Sequence, residues 1–208
     1  MASRLSTVIA AAPETDLAVV AAMAAQFESY ILKGQVYRTV VVPTRGDHRG
    51  AGERPVQSSG GDVLARLHKL AAQSESLSPE QRQALTEAKA RTDAATGRLP
   101  SHYQALLLRE ARARLNSLNW FLDDCSENRR ECRVQYPFEI RNRQRIAEIG
   151  KALEAHSADA LTTQLAAVDQ RLQAMLTRGE FVWEAAVAHV YPREEYWYLY
   201  GLPAGPDP

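Results

Sequence analysis

Six arginines crowd residues 129–145 of this 208-residue chain, and only Glu131 and Glu139 offset them there. Guanidinium groups at that density suit two-pronged contacts to a carboxylate, a phosphate or a nucleic-acid backbone. Arg129 and Asn142 fall on positions that continue an apolar helical stripe. A charge placed there needs a buried partner or a route to water. If the chain reverses at Pro137, the two residues stand at about the same level, and Arg129, Arg133, Asn142 and Arg145 become a candidate anion-binding set. A plainer reading has Arg129 reaching water from a helix end, the other arginines solvated, and Asn142 setting the register of the seam. Asp123, Asp124 and Glu127 just upstream reduce the positive field, which argues against a broad nucleic-acid surface.

A second concentration lies near the C-terminus. Residues 181–200 contain seven of the fifteen aromatic residues. Tyr, Trp and Arg are the residue types that dominate binding hot spots. Tyr191, Arg193, Tyr196 and Trp197 are therefore candidate partner contacts. The competing reading is a packed lid, in which the rings are buried against helices.

Other chemistries lack their residues. The five histidines, at 48, 68, 102, 156 and 189, never pair at helical spacing, and neither Glu-x-x-His nor His-Glu-x-x-His occurs. No metal or cofactor site is expected from these spacings. There is no Gly-x-Ser-x-Gly elbow for a nucleophilic serine. Cys125 and Cys132 sit seven positions apart on one expected helix, about 10 Å along its axis. That exceeds disulfide reach, so both are expected as free thiols packed on an apolar seam. Gly46, Gly50 and Gly52 match neither dinucleotide nor P-loop spacing, and the tripeptide Arg45-Gly46-Asp47 is too short to carry weight. Asp123, Asp124, Glu127 and Glu139 offer carboxylates for acid–base work, but nothing singles out a pair among them.

Helices must position whatever site exists. Leu17, Val20, Ala24, Phe27 and Ile31 recur at three- and four-residue intervals, giving a helix over 13–33 that Gly34 stops. Residues 35–42 are rich in β-branched side chains and suit a short strand, with the C-terminal segment as its candidate partner. Residues 43–61, with five glycines and two prolines, read as a flexible loop. Helices follow over 62–76, with Asp62 as cap, and over 79–96, where Ser78 and Gln81 form a capping box. The clearest pattern is Leu108, Ala111, Leu115, Leu118, Leu122, Cys125, Arg129, Cys132 and Tyr136, a 3.5-residue period within a helix over 101–135 capped by Ser101 and Gln104. Pro137 should end or kink it. Helices over 138–155 and 158–178 complete the set, Ser157 capping the second and Gly179 ending it, and residues 179–208 form an extended aromatic tail.

The expected fold is thus all-α, one domain over 1–208: an antiparallel bundle of long helices with a Gly-rich loop and that tail. Composition agrees with one globular domain: 45% hydrophobic, 24% charged and no net charge. No apolar run is long enough to span a membrane. Residues 5–12 are too short and too interrupted for a secretory signal, so a cytoplasmic protein is expected. With 21 arginines to four lysines and abundant alanine, a GC-rich bacterial source fits. These features point to a non-enzymatic interaction or scaffold protein, with a protein partner or a second copy of itself. The alternative is an anion, phosphate or nucleic-acid binder using the arginines of 129–145.

Overall fold

The computed structural model describes residues 12–44 and 52–205. Among them the protein is mostly helical, with eight α-helices and two small antiparallel sheets. The chain, read above as one domain, divides into two compact units, residues 12–110 and 111–205 of the described chain, with the division inside one helix. No helix among the described residues is long and apolar enough to cross a membrane.

In the first unit, α1 (Glu14–Ala24) and α2 (Phe27–Lys33) replace the single helix expected over 13–33. Gly34 closes α2 with φ of 63°, its N–H reaching the carbonyls of Tyr30 and Ile31, a conformation glycine adopts without penalty. β1 (Arg38–Thr44) turns Val40 and Val42 inward and Val41 outward. Its partner is β2 (Gly52–Ser58), with Val40 opposite Val56, and not the C-terminal segment. The loop expected over 43–61 thus contains a strand. β2 was hidden by Arg54 and Pro55, which an edge strand tolerates. Residues 45–51, including Gly46, Gly50 and the Arg-Gly-Asp tripeptide, lie outside the described residues.

α3 (Gly60–Ala72) is capped by Ser59, one turn before the expected Asp62. Behind this cap lies the fully buried Glu110. Its carboxylate accepts the Ser59 hydroxyl at 2.6 Å and the Gly61 N–H at 2.9 Å, while the Tyr30 hydroxyl accepts the Gly60 N–H at 2.8 Å. α4 (Pro79–Arg98) opens with the expected Ser78–Gln81 capping box. Val20 and Ala24, Leu70 of α3 and Ala88 of α4 form a buried cluster. α5 (Pro100–Glu127) starts with Pro100 in its first turn, so Ser101 lies inside the helix and does not cap it.

In the second unit the expected seam is present: Ala111, Leu115, Leu118, Leu122, Cys125, Cys132 and Tyr136 are buried. The helix carrying it is not continuous. α5 stops at Glu127 and α6 (Arg129–Glu139) begins after Asn128, whose side chain accepts the Glu131 N–H at 3.1 Å. The break brings the Cα atoms of Cys125 and Cys132 to 4.9 Å, and the two are disulfide-bonded. The expectation of free thiols fails because it assumed an unbroken helix. Pro137 sits inside α6, and the chain passes at Ile140 into α7 (Arg141–Ala152). α8 (Ala155–Met175) begins before Ser157 and ends before Gly179, which lies instead in β3 (Leu176–Phe181). β3 pairs with β4 (Tyr200–Pro203), and short 3-10 turns at Ala185–Val190 and Trp197–Leu199 lie between them. The C-terminal segment is therefore a folded part of the unit. Its strands approach so closely at Gly201 that a Cβ there would lie 2.4 Å from the Thr177 carbonyl oxygen.

Candidate functional site

Ring packing fixes the C-terminal segment. Phe181 meets Trp183, Tyr191 and Tyr200, with centroids 5.2–6.1 Å apart, and Tyr191 meets Tyr196 edge-on at 5.2 Å. Polar tips find carbonyls: the Trp183 indole donates to Pro137 at 2.8 Å, the Tyr136 hydroxyl to Tyr198 at 2.7 Å, and the Tyr200 hydroxyl to Tyr191 at 2.7 Å. Tyr191, Tyr196 and Tyr198 are buried. Of the four candidate partner contacts, only Arg193 is exposed and Trp197 half-buried.

Tyr196 anchors a polar cluster. Its hydroxyl donates to Glu148 at 2.7 Å and accepts from the Lys151 ammonium at 2.7 Å, and Lys151 pairs with Glu195 at 2.6 Å. Gln144 donates to the same Glu148 oxygen at 3.0 Å. Burial, then the bond to Glu148, pushes the Tyr196 phenol far above its ordinary range. Tyr196 therefore holds its proton and serves as a donor rather than as a base.

The outer side of the segment is different. A groove of about 570 Å³ is lined by Gln173, Leu176, Arg178, Arg193, Glu194, Trp197 and Tyr200. The Arg193 guanidinium lies 4.8 Å from the centre of the Tyr200 ring and donates to the Gly179 carbonyl. Partial burial raises the Tyr200 phenol although Arg193 opposes the shift. The exposed Arg178 guanidinium forms no hydrogen bond, ion pair or ring contact with any described residue. The lining thus combines one uncommitted guanidinium, one guanidinium steadied on a ring, one carboxylate and apolar surface from Trp197, Tyr200 and Leu176.

The arginines of 129–145 do not converge on a common pocket. Arg133 donates to the Pro203 carbonyl at 2.7 Å, Arg145 to Gln144 at 3.1 Å, and Arg141 to Phe138 at 2.8 Å. Asn142 accepts from Arg114 at 2.9 Å, so its partner is Arg114 and not Arg129. Arg129 is exposed and lines a second cavity, of about 450 Å³, with the disulfide, Leu122, Arg171, Met175 and Pro203. Asp123 pairs with Arg171 at 2.6 Å. Nothing in the sequence marks Arg178, which falls at the end of the helix expected over 158–178, or singles out Tyr200 among seven aromatics.

Among the described residues, no group of three or more His, Cys, Asp or Glu side chains could hold a metal ion. No protein-family model, curated protein or solved structure matches this chain.

Proposed function

We propose that the protein is an interaction module, not an enzyme, and that the groove of its second unit receives an acidic, partly apolar segment of a protein partner. The observation that carries this reading is the uncommitted Arg178 guanidinium beside Arg193, Trp197 and Tyr200. Arginine and large rings on one open surface match the composition of binding hot spots. A partner carboxylate matches the guanidinium fork, and an apolar neighbour fits against Leu176 and Trp197. Glu194 on the same rim disfavours a uniformly acidic ligand.

The arginines of 129–145 support an anion or nucleic-acid site less well, because Arg133, Arg141, Arg143 and Arg145 each bind a group of the protein itself. A second copy of the chain is a weaker candidate for the groove than an acidic segment. The Cys125–Cys132 disulfide counts against the expected cytoplasmic location, because such bonds persist in oxidising compartments.

The test is fluorescence anisotropy with a labelled hexapeptide of alternating Glu and Leu, at low and high salt. Binding that weakens with salt and drops at least about tenfold in both Arg178→Ala and Trp197→Ala supports the reading. Equal binding by the variants, or free glutamate competing as well as the peptide, overturns it. A dimer that Arg178→Ala dissociates assigns the groove to a second copy and overturns it too.

A further inference from the structure

The interruption between α5 and α6 is one residue wide. Asn128 has φ of −137° and ψ of 83°, outside the helical region. On either side the helical ladder is intact: the Asn128 N–H reaches the Asp124 carbonyl at 3.0 Å, and the Cys132 N–H reaches the Asn128 carbonyl at 3.0 Å. The 3.5-residue spacing of Leu118, Leu122 and Cys125 runs on to Cys132 and Tyr136, interrupted in character only by the exposed Arg129 beside the break. Returning Asn128 to helical dihedrals would let the N–H groups of Arg129, Arg130 and Glu131 bond to the carbonyls of Cys125, Ser126 and Glu127. In that continuous helix the two cysteines would stand about 10 Å apart, too far to be bonded. The disulfide and the unbroken helix are mutually exclusive states of the same seam.

We infer that Cys125 and Cys132 are a redox-modifiable site: oxidised, they hold α5 and α6 apart; reduced, they let the two helices join. The reductant is a dithiol. One of its thiolates attacks a cysteine sulfur and forms a mixed disulfide, and its second thiol displaces the remaining cysteine. Two electrons and two protons pass to the protein, leaving two protein thiols and an oxidised, cyclic dithiol. Both cysteines line the 450 Å³ cavity, which gives a small dithiol its approach.

The change would reach the C-terminal segment of the same unit. α6 holds that segment through Arg133 to Pro203, Tyr136 to Tyr198, and the Trp183 indole on Pro137. Swinging α6 into line with α5 breaks or strains these three bonds. This inference does not depend on the groove having a partner.

The experiment uses the full chain, air-oxidised and then treated with dithiothreitol. Thiol titration should find no free thiols before reduction and two after. Amide hydrogen exchange is followed by NMR in both states. The inference predicts that the amides of Arg129 and Arg130 become protected at least about tenfold on reduction. It further predicts that reoxidation reverses the change and that Trp183 fluorescence shifts with it. The double variant Cys125→Ser/Cys132→Ser should show the protected pattern without reductant and ignore dithiothreitol. Two free thiols in the untreated protein would overturn the inference. So would unchanged exchange at residues 129 and 130 after reduction. Loss of protection across the whole unit, in the reduced chain or in the double variant, would make the bond a plain staple and overturn it as well.

Discussion

Arg143 holds Asp169 through two parallel hydrogen bonds, Nε to Oδ1 at 2.7 Å and Nη2 to Oδ2 at 2.9 Å, and so ties α7 to α8. The guanidinium also lies 4.5 Å from the centre of the Tyr198 ring. Burial opposes its charge, yet the bonds to Asp169 and the neighbouring tyrosine outweigh that cost and leave the guanidinium above its ordinary value. Arg143, buried and paired with a carboxylate, is thus part of the packing.

Asp169→Asn leaves that guanidinium without its counter-charge. Because the carboxylate is partly exposed, the expected loss is about 2–3 kcal/mol, below the range for fully buried pairs. Urea denaturation checks it. A loss under about 0.5 kcal/mol would make the pair an ordinary surface bridge.

Glu110→Ala removes the acceptor behind the start of α3 and strands the Gly61 N–H in a buried site, while the Ser59 hydroxyl keeps the Asp62 carboxylate as an acceptor at 3.0 Å. We expect a loss of about 1–3 kcal/mol, from the one buried donor left without an acceptor. Glu110→Gln keeps one carbonyl oxygen and should lose less. Equal losses in the two variants, measured by denaturant titration, would contradict the capping role.

Gly201→Ala places a Cβ 2.4 Å from the Thr177 carbonyl oxygen and must push β3 and β4 apart. The nearest atom to a Cβ at Gly179 is 3.7 Å away, an ordinary contact, so Gly179→Ala is the control. The first change should lower the melting temperature by several degrees and alter the near-ultraviolet signal of Trp183 and Trp197. The second should do neither.

Alkaline pH should unfold the protein through its tyrosines. Burial raises the phenols of Tyr30, Tyr103, Tyr136, Tyr196 and Tyr198 above the ordinary 10.0. The unfolded chain therefore gives up these protons first. Their contribution to stability is complete below pH 10.0 and is lost as pH climbs beyond it. Absorbance of tyrosinate should rise together with loss of helical circular dichroism. Five or more phenols ionising at their ordinary value in a still-folded protein would contradict this.

Much of the helical frame was legible because burial on a helix repeats. Leu115, Leu118 and Leu122 show their common face in one dimension, and Ser78 with Gln81 announces a helix start within four residues. Interactions between distant residues left no such mark. The break at Asn128 falls where the 3.5-residue spacing runs on through the charged Arg129, so spacing alone does not mark it and the bond between Cys125 and Cys132 discloses it. β2 lacks alternation because both of its faces are exposed from Gly52 to Pro55. Arg114, the partner of Asn142, looked like any charged helix residue. The groove shows the same limit: Arg193 and Trp197 stood out by type, whereas Arg178 joins them only because β3 replaces the last turn of the expected helix.

If the Arg178 guanidinium recognises a carboxylate on a partner segment, exchanging its charge should exchange the ligand it prefers. Arg178→Glu is compared with the unaltered protein against two labelled hexapeptides, one alternating Glu and Leu, the other Lys and Leu. The unaltered protein should prefer the acidic peptide and Arg178→Glu should reverse the preference, with Trp197→Ala weakening both. The same preference in both proteins would contradict it.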